Sequence, residues 1–231
     1  MSIAENIAAV RQQMDRAARE TGRTGADVIL VGASKMNDAA ACREAIAAGI
    51  DALGENRVQE MTAKLAENAY EGRPLHFIGH LQRNKVRQVV GKAALIQSVG
   101  SVALLDEIEK TAEKLALVQD ILLEVNIGGE EAKSGFAPEA LEEAARYAKT
   151  LSHVRVLGLM TIPPVAEGEH GSVPYFEKVH ALFVDINAKL YDNTLDILSM
   201  GMSGDYEDAV RAGATMVRVG TAIFGARNYT I

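Results

Sequence analysis

Lys35 closes the apolar run VILVGASK, residues 28–35, just before the helix-start signal Asn37-Asp38. The run is long enough for a strand buried on both faces. A long cation at the end of such a strand is out of place in a core. It fits a strand that opens into a site, where a lysine of depressed pKa attacks a carbonyl. From position alone, a lysine snorkelling to solvent at a loop start is the simpler explanation. Other segments shift that balance. SMGMS offers Ser199, Gly201 and Ser203, and RVGT offers Gly220 and Thr221. Glycine lets backbone N–H groups approach an anion, Ser and Thr hydroxyls donate to phosphate oxygens, and a short helix from about Asp205 would turn its positive end the same way. Tight turns with Ser and Thr caps remain the alternative for either segment alone. Arg218 shares a strand face with Met216 and Gly220, whereas Val217 and Val219 take the other. Either Arg218 or the valines point inward. An inward arginine needs an acceptor or ligand, and a salt bridge to a neighbouring helix is the competing arrangement.

A carbonyl-seeking lysine, an anion cradle and an arginine are together met by pyridoxal 5′-phosphate. Its aldehyde would form a Schiff base (a covalent aldimine) with Lys35, its phosphate would take the cradle, and its ring nitrogen would lie near Arg218. A permanently charged guanidinium would keep that nitrogen unprotonated and weaken the ring as an electron sink.

The elements that position these residues alternate without a break. Strands are expected at 28–35, 51–56, 74–80, 94–99, 120–127, 154–162, 196–202 and 216–224. Helices are expected at about 3–22, 38–48, 57–69, 82–91, 101–117, 138–151, 174–190 and 205–212. Val, Ile and Leu dominate the strands, which calls for a parallel sheet covered by helices. Eight such units predict a single α/β domain over residues 1–231, a (β/α)8 TIM-type barrel without a C-terminal β domain. No helix is expected after the eighth strand, and the extra N-terminal helix is its substitute. A doubly wound open sheet is the alternative, but the turn after the first strand reads KMNDAA and is not glycine-rich.

In such a barrel, function sits at the C-terminal strand ends, with phosphate at strands seven and eight. Those ends read Lys35, Glu55-Asn56, Gly79-His80, Asn126, Met160-Thr161, Met202-Ser203 and Gly220-Thr221. Lys35 shares a face with Ala33 and Val31, and Asn56 with Gly54 and Ala52, so small residues below each polar tip leave room for a ligand.

Composition narrows the function classes. The net charge of −7 argues against general affinity for nucleic acid or anionic membrane. Cys42 is the only cysteine, which excludes an internal disulfide and a cysteine-based metal site. The N-terminal residues carry charges throughout and lack a signal peptide's apolar core, and no apolar run approaches membrane-spanning length. A cytoplasmic protein is expected. Several signals are set aside. His76 and His80 share a face without an evident third metal ligand. GGEEAKSG has Ala132 where a P-loop needs glycine before Lys-Ser. Arg83, Lys85, Arg87 and Lys92 read as a solvated face, and Met200, Met202 and Met216 as core filler near the pocket.

VGASK, GENRVQE, FIGHLQRNKVR, VNIGGEEAKSGF, GLMTIPP, LSMGMSGDYEDAV and VRVGTAIFGAR occur here in the order found in a known family. Over nearly its whole length the chain resembles the YggS/PROSC-type pyridoxal phosphate homeostasis proteins. The resemblance implies a barrel like the N-terminal domain of bacterial alanine racemase. It implies that Lys35 carries the cofactor, that Ser203, Gly220 and Thr221 hold the phosphate, that Arg218 faces the ring nitrogen and that Asn56 lines the pocket. Met36, Leu53 and Arg57 depart from the family pattern beside the site.

Three functions are weighed. The first is a pyridoxal phosphate protein that buffers or delivers the cofactor inside the cell without dedicated turnover, with PLP-dependent apo-enzymes as candidate recipients and a monomer as the expected state. The second is a PLP-dependent enzyme such as an amino-acid racemase. The third is a class I aldolase that uses Lys35 on a sugar phosphate. A two-base racemase needs a second acid/base group on the opposite cofactor face. In alanine racemases that group is a tyrosine supplied across a dimer with an added β domain. Tyr229 is the nearest candidate here and is poorly placed near the end of the chain. An exposed cofactor also favours exchange over controlled carbanion chemistry, so the homeostasis reading leads.

Overall fold

Apolar side chains on both sides of the strands sort into two shells, because successive residues of a strand point to opposite faces. The computed structural model describes residues 1–130, 134–165, 168 and 170–225. Its strands are β1 (Ile29–Ala33), β2 (Ala52–Glu55), β3 (Leu75–Phe77), β4 (Leu95–Val99), β5 (Gln119–Val125), β6 (Val154–Thr161), β7 (Ile197–Ser199) and β8 (Met216–Val219). They pair in sequence order into a closed barrel. β8 returns parallel to β1, with Val31 opposite Arg218. The open doubly wound alternative is thereby excluded. Val31, Ala52, Leu95, Leu122, Met160 and Met216 fill the barrel interior. Leu30, Leu53, Phe77, Ile96, Leu123, Leu198, Val217 and Val219 point outward into the larger core beneath the helices.

Around the barrel run α1 (Ile3–Arg19), α2 (Ala39–Ala47), α3 (Val58–Ala66), α4 (Val102–Lys114), α5 (Leu141–Ala148), α6 (Val173–Leu190), α7 (Tyr206–Arg211) and α8 (Thr221–Phe224). Local chemistry starts several of them. Ser2 and Glu5 form a reciprocal capping box at α1. The Asp38 side chain accepts from the Ala41 N–H at α2, and Ser101 does the same for Leu104 at α4.

Two elements differ from expectation. The segment expected as a helix over 82–91 holds a 3-10 helix, Arg83–Gln88. The N–H groups of Lys85 and Val89 bond three residues back, to Gln82 and Val86. Within it only Val86 is buried, too little apolar face to sustain an α-helix. The eighth strand, expected over 216–224, stops at Val219. The N–H groups of Ile223 and Phe224 both return to the Gly220 carbonyl at 2.9 Å, so a one-turn helix follows the strand after all. α1 nonetheless packs across α7 and α8, and Asn6 Nδ2 donates to the Ile223 carbonyl at 2.8 Å.

Candidate cofactor site

Arg218 points into the barrel and is 3% exposed, which leaves Val217 and Val219 facing the helices. Its Nη1 donates to Ser199 Oγ at 2.6 Å and its Nη2 to the Thr161 carbonyl at 2.8 Å. These interior acceptors stand in place of a salt bridge to an outer helix. Burial pulls the guanidinium down to about 10, against the support of Glu124 and Asp205, so it keeps its charge at neutral pH. Ser199 Oγ in turn donates to Gln97 Oε1 at 2.7 Å, and Gln97 Nε2 lies 3.0 Å from His76 Nδ1. A chain of polar contacts therefore runs through the interior from β3 to β8. Ser199, expected in the anion cradle, is fully buried below it and supports Arg218. His76 is the far end of this chain, whereas His80 is exposed at the barrel mouth.

The loops after β7 and β8 do meet. Gly201 has φ +93°, and a Cβ there would lie 2.5 Å from Ala209 Cβ, so only glycine lets α7 close against the strand end. Asp205 Oδ1 accepts from the Met202 N–H at 2.7 Å and pins the intervening turn. Ser203 Oγ then accepts from the N–H groups of Gly220 and Ala222 at 3.1 and 3.3 Å. Thr221 opens α8 beside them. Of the three methionines expected as filler, Met200 and Met216 are buried, but Met202 is 40% exposed because its loop leaves the core.

Lys35 is half-buried at the end of β1. The fully buried Ser34 turns outward, donating to Glu55 Oε1 at 2.6 Å, and Lys35 follows it in the turn that the Asn37 N–H closes on the Ser34 carbonyl at 3.1 Å. Gly220 faces Ala33 across the β8–β1 seam. A Cβ there would sit 3.4 Å from the Ala33 carbonyl oxygen and would fill the gap beside the lysine strand.

A cavity of about 620 Å³ opens at the same end of the barrel, lined by Asn56, Gly79, His80, Glu124, Asn126 and Ser134 among others. Asn56 Oδ1 is buried there without a hydrogen-bond partner. Burial pushes the Glu124 carboxyl up, opposed by a bond from Ser134 and by the charges of Arg218 and His80. Of the three departures, Leu53 lies in the outer core, Met36 is 55% exposed and Arg57 is the N-cap position of α3. Gln97 and Glu124 escape the sequence reading, which has Thr161 only as a strand end. A glutamine inside the apolar ALIQSV strand was the available signal for the first. Glu131–Lys133 of the P-loop-like segment and Tyr229 lie outside the described residues.

The residues present fit a phosphorylated aldehyde cofactor. Converging backbone N–H groups at Ser203, an orphaned acceptor at Asn56 and a charged arginine beneath them answer an anion, a ring substituent and a ring nitrogen. Fold and site define a class, the barrel of alanine racemase. The family model for the alanine racemase N-terminal domain matches residues 2–228. At 15% identity an alanine racemase of Clostridium difficile superposes with a TM-score of 0.72, over 88% of this chain and 56% of that one, a likeness of fold alone. The pyridoxal phosphate homeostasis protein of Aquifex aeolicus is 44% identical over 99% of this chain and its own full length. That of Pseudomonas aeruginosa is 42% identical over 99% of this chain and 97% of its own. PipY of Synechococcus elongatus, solved with PLP bound, has a TM-score of 0.84 at 34% identity, over 97% of this chain and 100% of its own. The chain belongs to the pyridoxal phosphate homeostasis protein family.

Proposed function

We propose that this chain binds pyridoxal 5′-phosphate on Lys35 and takes part in its homeostasis inside the cell, by buffering or delivery. The observation that carries this reading is the inward Arg218, held by Ser199 and the Thr161 carbonyl beneath the junction of Ser203 with Gly220. When bound, the cofactor supplies an aldehyde. The Lys35 amine adds to it and water leaves, giving a Schiff base. Ser203, Gly201, Gly220 and Thr221 hold the phosphate, and Asn56 Oδ1 accepts from a ring substituent. Arg218 presents a fixed positive charge to the ring nitrogen and denies it a proton. Ser199 acts on the cofactor through Arg218.

The homeostasis reading includes no dedicated turnover, a single domain over residues 1–231, a monomer and a cytoplasmic location, with PLP-dependent apo-enzymes as recipients. Its support is the naming of relatives that are 34–44% identical over nearly the whole chain. No helix among the described residues is long and apolar enough to cross a membrane.

Mass spectrometry of the native protein before and after borohydride tests the core of this reading. Reduction is expected to fix one phosphopyridoxyl group on Lys35, and Lys35→Ala is expected to lose both the adduct and the near-ultraviolet absorbance band. Full retention of the band in Lys35→Ala would sink the assignment. Amino-acid turnover on the order of 1 per second or faster would make the chain an enzyme. A trapped adduct with a sugar phosphate but not with PLP would make it an aldolase.

A further inference from the structure

On the helix side of the sheet, a charged cluster joins α3 and β2 to the residues that flank Lys35. Lys64 on α3 is 5% exposed. Its Nζ donates to Glu55 Oε1 at 2.6 Å, to Glu60 Oε1 at 3.0 Å and to the backbone carbonyl of Ser34 at 2.7 Å. Ser34 Oγ reaches the same Glu55 oxygen. Glu60 Oε1 also accepts from the backbone N–H of Met36. The bonds of this cluster thus end on the residue before Lys35 and the residue after it.

Met36 has φ +62°, a left-handed conformation that a side chain with a Cβ adopts only under constraint. It is 55% exposed, so packing does not supply that constraint; the Asn37 N–H, which closes the turn on the Ser34 carbonyl at 3.1 Å, and the Glu60 bond to the Met36 N–H supply it together. Burial works against the charge of Lys64, but Glu55 and Glu60 outweigh it and hold the ammonium above its usual range. The hydroxyl of Tyr70 is buried in the same cluster, where burial and the nearby Glu55 carboxylate push it up. A pair serving only to hold α3 on β2 would need neither the Ser34 carbonyl nor the Met36 amide.

We propose that Lys64, with Glu55 and Glu60, is a positioning residue that clamps the backbone on both sides of Lys35 and so sets the direction from which its amine meets an aldehyde. The inference rests on the assignment of Lys35 above. Misplacement of a reacting group by a fraction of an ångström is costly, and a clamp on the backbone prevents it without occupying the cofactor's space.

The test uses full-length protein, Lys64→Met and Glu60→Ala. With PLP added, the readouts are the pH midpoint of the absorbance band and the rate of PLP loss after dilution. Without PLP, the readout is amide hydrogen exchange at Met36. Both variants are expected to shift the midpoint, to lose PLP about tenfold faster and to exchange the Met36 amide faster, with unchanged far-ultraviolet circular dichroism. If Lys64→Met does not fold, Glu60→Ala decides alone, because Glu60 is only partly buried on α3. Wild-type values for the midpoint, the loss rate and Met36 exchange in folded Glu60→Ala would overturn the proposal. Absence of any Lys35-dependent band in the wild type would instead refute the cofactor assignment, and Met36 exchange would still judge the clamp.

Discussion

Ser199 and Arg218 are bonded inside the barrel, with Nη1 donating to Oγ at 2.6 Å across the β7–β8 pair. The serine donates its own hydroxyl to Gln97 Oε1 on the opposite side at 2.7 Å, so its rotor is fixed from both ends. The buried charge of Arg218 is therefore held by a frame that reaches across the sheet.

Ser199→Ala removes an acceptor from a buried guanidinium and a donor from Gln97. A hydrogen bond to a charged group contributes about 1.5–3 kcal/mol, and a loss of about that size is expected in urea unfolding. A change under about 0.5 kcal/mol, the range of an ordinary surface substitution, would mean that the frame carries no load.

His76 gives the fold a defined acid sensitivity. Burial pulls its imidazole down to about 4, whereas in the unfolded chain it takes up a proton below about 6.5. The stability tied to its neutral form is complete above that pH and is lost as the pH falls toward 4, about 3 kcal/mol in all. Urea titrations at pH 7 and pH 5 should show this loss in the wild type and a flatter profile in His76→Gln. Parallel profiles would refute the assignment.

Gly79, just past the end of β3, lies against the backbone of Asn56, just past the end of β2. A Cβ there would lie 2.3 Å from the carbonyl oxygen of Asn56, a backbone atom that cannot step aside as a side chain could. Gly79→Ala is expected to cost about 2 kcal/mol or more and to displace Asn56, with PLP retention falling alongside the thermal midpoint. Unchanged values for both would contradict the placement.

Ser203 ties the loops after β7 and β8 together. Ser203→Ala should weaken PLP about tenfold, the equivalent of one lost hydrogen bond, but leave binding of unphosphorylated pyridoxal unchanged. Equal weakening of the two would remove the phosphate from this position.

The barrel was legible because apolar strand segments rich in Val, Ile and Leu alternate with helical ones at regular spacing, a pattern that survives the loss of every tertiary contact. Arg218 was legible as a choice between two faces, and packing made the choice. The end of β8 was not legible: TAIF reads as well in a strand as in a helix, and the Gly220 carbonyl decided it by accepting from both Ile223 and Phe224. Ser199 stood in the expected motif but on the inner side of a strand that ends one residue before Met200, out of reach of the loop. Lys64 looked like any surface lysine on an amphipathic helix. Its spacing from Glu60, four residues on, was the one trace, and nothing local announced that Glu55 would meet it under the sheet.

The seam between α1 and α8 joins Asn6 to Ile223, partners 217 residues apart. A ribosome makes α1 long before α7 or α8 exists to receive it. The face that carries Ile7, Val10 and Met14 must therefore wait, partly uncovered, for nearly the whole chain to be synthesised. In this barrel helix α1 is among the last elements to be fully housed.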